Sequence, residues 1–128
     1  MDTYQCLRRM SDVYLGISCL NKKTINEIAN GCGPKGGFFG FDLVPDDFLG
    51  LDVSEACNYH DCNYHFGKTS EDKLIADLLF LMHMVILNHF DEGESKYTKA
   101  ARYNIIMKYF TAVSMGGDDA FYKDKEST

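Results

Sequence analysis

From residue 54 onward the chain alternates between apolar positions at helical spacing and short polar breaks, and this pattern predicts a series of helices. The longest runs from Thr69 or Ser70 to about residue 90. Its Leu74, Ile75, Leu78, Leu79, Leu81, Met82, Val85 and Ile86 cover nearly the whole circumference, as in a central, buried helix. Before it, residues 54–66 read as a helix with Ser54 at the N-cap, Glu55 in the first turn and Gly67 just past the end. After the turn Asp91-Glu92-Gly93-Glu94, a helix over about residues 96–113 places Tyr97, Ala100, Ala101, Ile105, Met107 and Phe110 at apolar positions. Toward the N-terminus, a mixed polar and apolar stretch over about residues 3–15 reads as a helix, and Thr24-Ile25-Asn26-Glu27 reads as a capping box opening a short helix that stops at Gly31. Residues 31–52 hold Gly31, Gly33, Gly36, Gly37, Gly40 and Gly50 with Pro34 and Pro45, and read as irregular loop. A loop of that length in a compact domain is usually functional. The fold class expected is all-α: an antiparallel helix pair with a Gly-rich loop before it and further helices packed on it. Residues 1–117 form one domain, and the polar residues 118–128 are expected to fray as a C-terminal tail.

Composition narrows the function classes. With 128 residues and 45% hydrophobic content the chain can bury its own core. A net charge of −6 offers no basic field for a phosphate backbone, so nucleic acid is an unsuitable partner. The same acidity argues against electrostatic capture by an anionic membrane, but leaves apolar contact with a zwitterionic lipid surface open. No apolar run approaches the roughly 20 residues that span a bilayer. Arg8, Arg9 and Asp12 interrupt the N-terminal apolar residues, so no signal peptide is visible. The expectation is a chain that is cytoplasmic as synthesised or exported by another route. The five cysteines are an odd number, which leaves at least one unpaired within a monomer and the compartment undecided.

Chemistry gathers around Ala56-Cys57-Asn58-Tyr59-His60-Asp61-Cys62-Asn63-Tyr64. His60 and Tyr64, four apart, share a helix face, while Asp61 is turned by about 100° toward neighbouring loop. On the long helix, Asp77 stands alone between Asp72 and Asp91, and a carboxylate in so apolar a setting requires a partner. In an antiparallel hairpin about Gly67, His60 lies roughly 9 Å before Phe66 and Asp77 roughly 11 Å after Ser70, so the two come level. An imidazole held by a buried carboxylate has a fixed tautomer and suits general-base work; Tyr64 is placed to give Asp77 a second hydrogen bond. The preceding loop, Asn30-Gly31-Cys32-Gly33-Pro34-Lys35-Gly36-Gly37, can turn carbonyls inward toward a hard cation. About three such carbonyls, a bidentate Asp61 and two waters would satisfy Ca²⁺.

Together the Gly-Cys-Gly-Pro loop, the Cys57-to-Asp61 motif with Tyr64, and Ala76-Asp77 with Phe80 resemble the phospholipase A2 superfamily over residues 31–82. The style is nearest to its small bacterial, phage and parvoviral members and to the group XII enzymes. The resemblance implies that His60 activates water against the sn-2 ester of a glycerophospholipid at a membrane or micelle interface, that Asp77 orients His60, and that Tyr64 steadies Asp77. It implies Ca²⁺ held by Asp61 and the carbonyls of Gly31, Gly33 and Lys35, and a disulfide between Cys32 and Cys57. Two departures stand out: Gly33-Pro34-Lys35-Gly36 is one residue longer than the family's common loop, and Asn63 replaces the cysteine of the vertebrate enzymes, with Cys62 one place early.

Other readings compete. A phospholipase A2-like lipid- or protein-binding module that no longer turns over would keep the same residues. Cys57, His60, Cys62 and His65 have zinc-ligand chemistry, although about 100° per residue turns Cys62 away from His60. Asp77 could serve an ion pair with Lys73 at i−4. Phe38, Phe39, Phe41, Leu43, Val44, Phe48, Leu49 and Leu51 either line an acyl channel or pack on the helix pair. His83 and His89 read as core or helix-end residues without a role, and the apolar girth of the long helix is covered within one chain or by a second copy in a homo-oligomer.

Overall fold

A computed structural model of the chain describes residues 45–122 and 125. The helices expected over residues 3–15 and 24–31, most of the Gly-rich loop, and the apolar residues Phe38 to Val44 lie outside the described residues. Within them the protein is mostly helical, with one tiny sheet.

The described end of the loop is ordered more tightly than its composition suggests. Strands β1 (Asp47–Phe48) and β2 (Leu51–Asp52) pair antiparallel, Asp47 opposite Asp52 and Phe48 opposite Leu51. Their two-residue turn has positive φ at both Leu49 (49°) and Gly50 (79°), the backbone hand that matches strand twist. Leucine is strained in that region, and its carbonyl is held in place: Leu49 O accepts from both Nε and Nη2 of Arg102, at 3.2 and 2.9 Å.

Helix α1 (Ser54–Phe66) follows directly. Ser54 is its first helical residue rather than its cap. Val53 occupies the N-cap, and the Asp52 carboxylate accepts from the Ser54 amide and hydroxyl at 2.9 and 2.6 Å. Helix α2 (Ser70–His89) opens with a full capping box, Thr69 Oγ1 accepting from the Asp72 amide and Asp72 accepting from that of Thr69. Helix α3 (Lys96–Gly116) starts at the Ser95 cap and runs three residues beyond the expected end.

The partners across each interface fix the directions. His60 meets Asp77 and Glu55 meets His83, so α1 and α2 are antiparallel. Lys73 meets Val113 and Asn88 meets Lys99, so α2 and α3 are antiparallel too. Helix α2 is thus central, between the other two. Its apolar girth is not wholly buried: Leu74, Leu78 and Met82 form an exposed stripe, while the buried face carries Lys73, Asp77, His83 and Asn88 among Ala76, Phe80 and Met84. Leu51, Val53, Ala56, Cys57, Phe80, Met84, Ile106 and Val113 make the main core, against which Phe48 packs; Leu49 stays exposed.

Residues 118–128 were expected to fray, yet their first part is built in. Helix α4 (Asp118–Tyr122) inserts a fully buried Phe121 against Tyr64 and Ala76. Phe121 anchors it as a buried aromatic, with Ala120 and Tyr122 partly buried in the same cluster. Among the described residues no helix is long and apolar enough to cross a membrane.

Candidate active site

The antiparallel register of α1 and α2 brings His60, Tyr64 and Asp77 together in the buried layer between them. His60 Nε2 lies 2.8 Å from Asp77 Oδ1, and the Tyr64 hydroxyl donates to the same oxygen at 2.6 Å. The other carboxylate oxygen, Oδ2, accepts from Lys73 Nζ at 2.9 Å. The ion pair with Lys73 and the contact with His60 therefore coexist on opposite oxygens of one carboxylate. Lys73 is itself fixed from α3, donating to Val113 O at 3.0 Å, and lies 3.5 Å from Asp118.

Packing sets the ring orientations. His60 stacks on Phe80 with centroids 4.5 Å apart and an interplanar angle of 26°, and meets Tyr64 at 4.1 Å. Tyr64 is in turn crossed edge-on by Phe121 at 5.2 Å. Gly117, the C-cap of α3, leaves room for this arrangement: a Cβ there would come 2.6 Å from Tyr64 Oη and 2.5 Å from Val113 O. Lys125 closes the same corner, donating to Tyr64 O and standing over the Phe121 ring.

These surroundings set the protonation states. Burial of His60 pushes its pKa down, opposed by the hydrogen bond and charge of Asp77 and reinforced by the positive charge of Lys73. Burial alone would raise Asp77, but hydrogen bonds from His60, Tyr64 and Lys73, with the His60 charge, hold the carboxyl below its ordinary value. Burial, followed by the Asp77 charge, drives the Tyr64 hydroxyl far upward, so it stays a donor. With Asp77 ionised, the network assigns the His60 proton to Nε2 and a lone pair to Nδ1. The result is a neutral, oriented imidazole whose conjugate acid has a carboxylate beside it, which is the equipment of a general base.

Asp61, one residue on from His60, is buried, and its negative charge reaches Tyr64. Its carboxylate is the hard-oxygen type that Ca²⁺ takes. The other expected ligands, Gly31, Gly33 and Lys35, lie outside the described residues, and among the described residues no cluster of three His, Cys, Asp or Glu side chains could hold a metal. The zinc alternative does not assemble: Cys57 is in a disulfide, Cys62 is a buried thiol, His60 is engaged with Asp77 and His65 points to solvent. The expected disulfide partner, Cys32, is outside the described residues.

Two features escaped the sequence. A second imidazole–carboxylate pair, His83 Nε2 with Glu55 Oε1 at 2.9 Å, lies further along the same helix pair with its roles reversed, histidine on α2 and carboxylate on α1. Antiparallel arithmetic locates it, since 55 with 83 and 60 with 77 have nearly equal sums. Asn63 is also fully within the layer, and only its place three residues after His60 signals it. No protein-family model, curated protein or solved structure matches the chain.

Proposed function

We propose that this chain is a calcium-dependent, phospholipase A2-like esterase that hydrolyses the sn-2 ester of glycerophospholipids. The observation that supports it most is the buried contact of His60 Nε2 with an Asp77 that also holds Tyr64 and Lys73. Burial keeps the imidazole neutral, while the contact with Asp77 aims Nδ1 away from the carboxylate and stabilises the imidazolium once a proton arrives.

In the reaction His60 Nδ1 takes a proton from water as the water oxygen bonds to the ester carbonyl carbon and the carbonyl electrons move onto oxygen. When the carbonyl re-forms, the bond from its carbon to the glycerol oxygen breaks, and the imidazolium returns its proton to that oxygen. The products are a fatty acid and a lysophospholipid. Asp61, with the main-chain carbonyls of Gly31, Gly33 and Lys35, would hold Ca²⁺, which when bound supplies positive charge against the phosphate and the developing oxyanion. Asp77 stays ionised throughout, and Lys73 keeps it so while discouraging premature protonation of His60.

A catalytically silent lipid- or protein-binding protein of the same construction is the second reading, favoured by the complete burial of the His60 ring. Vesicles of mixed phospholipids carrying distinguishable sn-1 and sn-2 chains separate the two. Release of the sn-2 chain by the wild type, abolished by calcium chelation and by His60→Gln, is the expected result. Turnover unchanged by either treatment overturns the mechanism, and no turnover of any phospholipid with calcium present leaves the silent reading.

A further inference from the structure

The interface of α1 and α2 encloses a cavity of about 10 Å³, lined by Ala56, Tyr59, His60, Asn63, Leu79, Phe80 and His83. That is the room one water molecule needs, and a water persists in such a place only with polar partners on the wall. Asn63 supplies one. Its side chain is 2% exposed, and its Oδ1 is buried and accepts no hydrogen bond among the described residues. A carbonyl oxygen in that state carries a desolvation cost that a guest donor would relieve.

Water is the guest that fits both the size and the chemistry, and His60 shares the cavity wall. Because Asp77 occupies Nε2, the basic nitrogen of His60 is Nδ1. A water that donates one hydrogen to Asn63 Oδ1 and the other to Nδ1 keeps both oxygen lone pairs clear of donors. That is the orientation in which a water oxygen can attack. Tyr59 and His83 complete the polar wall, and Leu79 and Phe80 hold it rigid.

We propose that Asn63 holds one water in this cavity against His60, and so acts as the positioning residue for the water that His60 activates. The inference rests on the esterase reading for its catalytic meaning, but the water site itself does not. Of the polar residues on this wall, His83 is already engaged with Glu55, whereas Asn63 Oδ1 accepts from no donor among the described residues.

The test has two arms. A high-resolution crystal structure of the full chain should show an ordered water within hydrogen-bond distance of both Asn63 Oδ1 and His60 Nδ1. An empty cavity, or a water bonded to Asn63 but turned from His60, overturns the proposal without any variant being made. In the kinetic arm, Asn63→Leu keeps the side-chain shape but not the acceptor. It should lower kcat about 10-fold, the worth of one hydrogen bond, with KM and melting temperature not adversely changed. Asn63→Asp, which keeps an acceptor oxygen, should recover part of that loss. Wild-type kcat in Asn63→Leu overturns the role of Asn63 and leaves the esterase reading intact. A wild type that holds the water yet hydrolyses no phospholipid overturns the esterase reading and upholds the site.

Discussion

Replacing Lys73 by methionine removes a buried cation while keeping most of its stem. Nζ lies 2.9 Å from Asp77 Oδ2 and 3.0 Å from Val113 O, and the lysine side chain is 9% exposed against 3% for the aspartate. At that separation and an effective dielectric near 20, the lost attraction is about 6 kcal/mol. Part of it returns because the ammonium no longer has to be desolvated, and breaking a buried pair from one side leaves a net loss of about 3–5 kcal/mol. For a domain of this size that lowers the melting temperature by about 10–20 °C. Urea denaturation of wild type, Lys73→Met, Asp77→Asn and the double variant measures it. The double variant should be more stable than Lys73→Met alone, because an asparagine leaves no unpaired charge in the layer. A loss below about 1 kcal/mol in Lys73→Met, or strict additivity of the two substitutions, would refute the view that Asp77 is a buried anion needing both neighbours.

Stability should also fall with pH. Burial depresses both His60 and His83, so as pH drops below about 6.5 the unfolded chain takes up protons that the folded chain refuses, and each histidine costs about 1.4 kcal/mol per pH unit until its folded value is reached. Asp77, also depressed, adds stability above its ordinary value that is lost as pH falls further through its folded one; denaturant midpoints from about pH 8 down to about pH 2 record both. Phe121→Ala, emptying a fully buried site beside Tyr64, should cost about 3–5 kcal/mol in the same assay, whereas a detached tail would give no change. On the proposed esterase reading, Gly117→Ala should displace the Tyr64 hydroxyl and lower sn-2 hydrolysis with it, since the new methyl would fall 2.6 Å from Tyr64 Oη; unchanged turnover would remove Tyr64 from the support of Asp77.

The sequence was most legible where local chemistry decides. Thr69 with Asp72 marks the start of α2 and Ser95 that of α3, and 1.5 Å per residue brings His60 level with Asp77. Lys73 was visible at i−4 from Asp77, but only as a competitor to His60; spacing cannot say which carboxylate oxygen a partner will take. The inward face of α2 was harder. Its leucines satisfied the periodicity all round, so the pattern did not reveal that Leu74 and Leu78 face solvent while Lys73, Asp77, His83 and Asn88 face in. Polar residues turn inward there because each finds a partner on another helix. Arg102 illustrates the same limit: it is fully buried on α3, bound to Leu49 O, Asn88 and Asp91, and those partners come from two separate stretches of chain.

The hydrogen bond from Lys73 to Val113 O joins residues 40 positions apart, and it gives the dyad a wider dependence than its two members suggest. An excised hairpin of residues 54–89 would retain the imidazole and the carboxylate but surrender the strut that holds the ammonium in register. Grafting this chemistry onto another scaffold therefore requires three helices to be transplanted together.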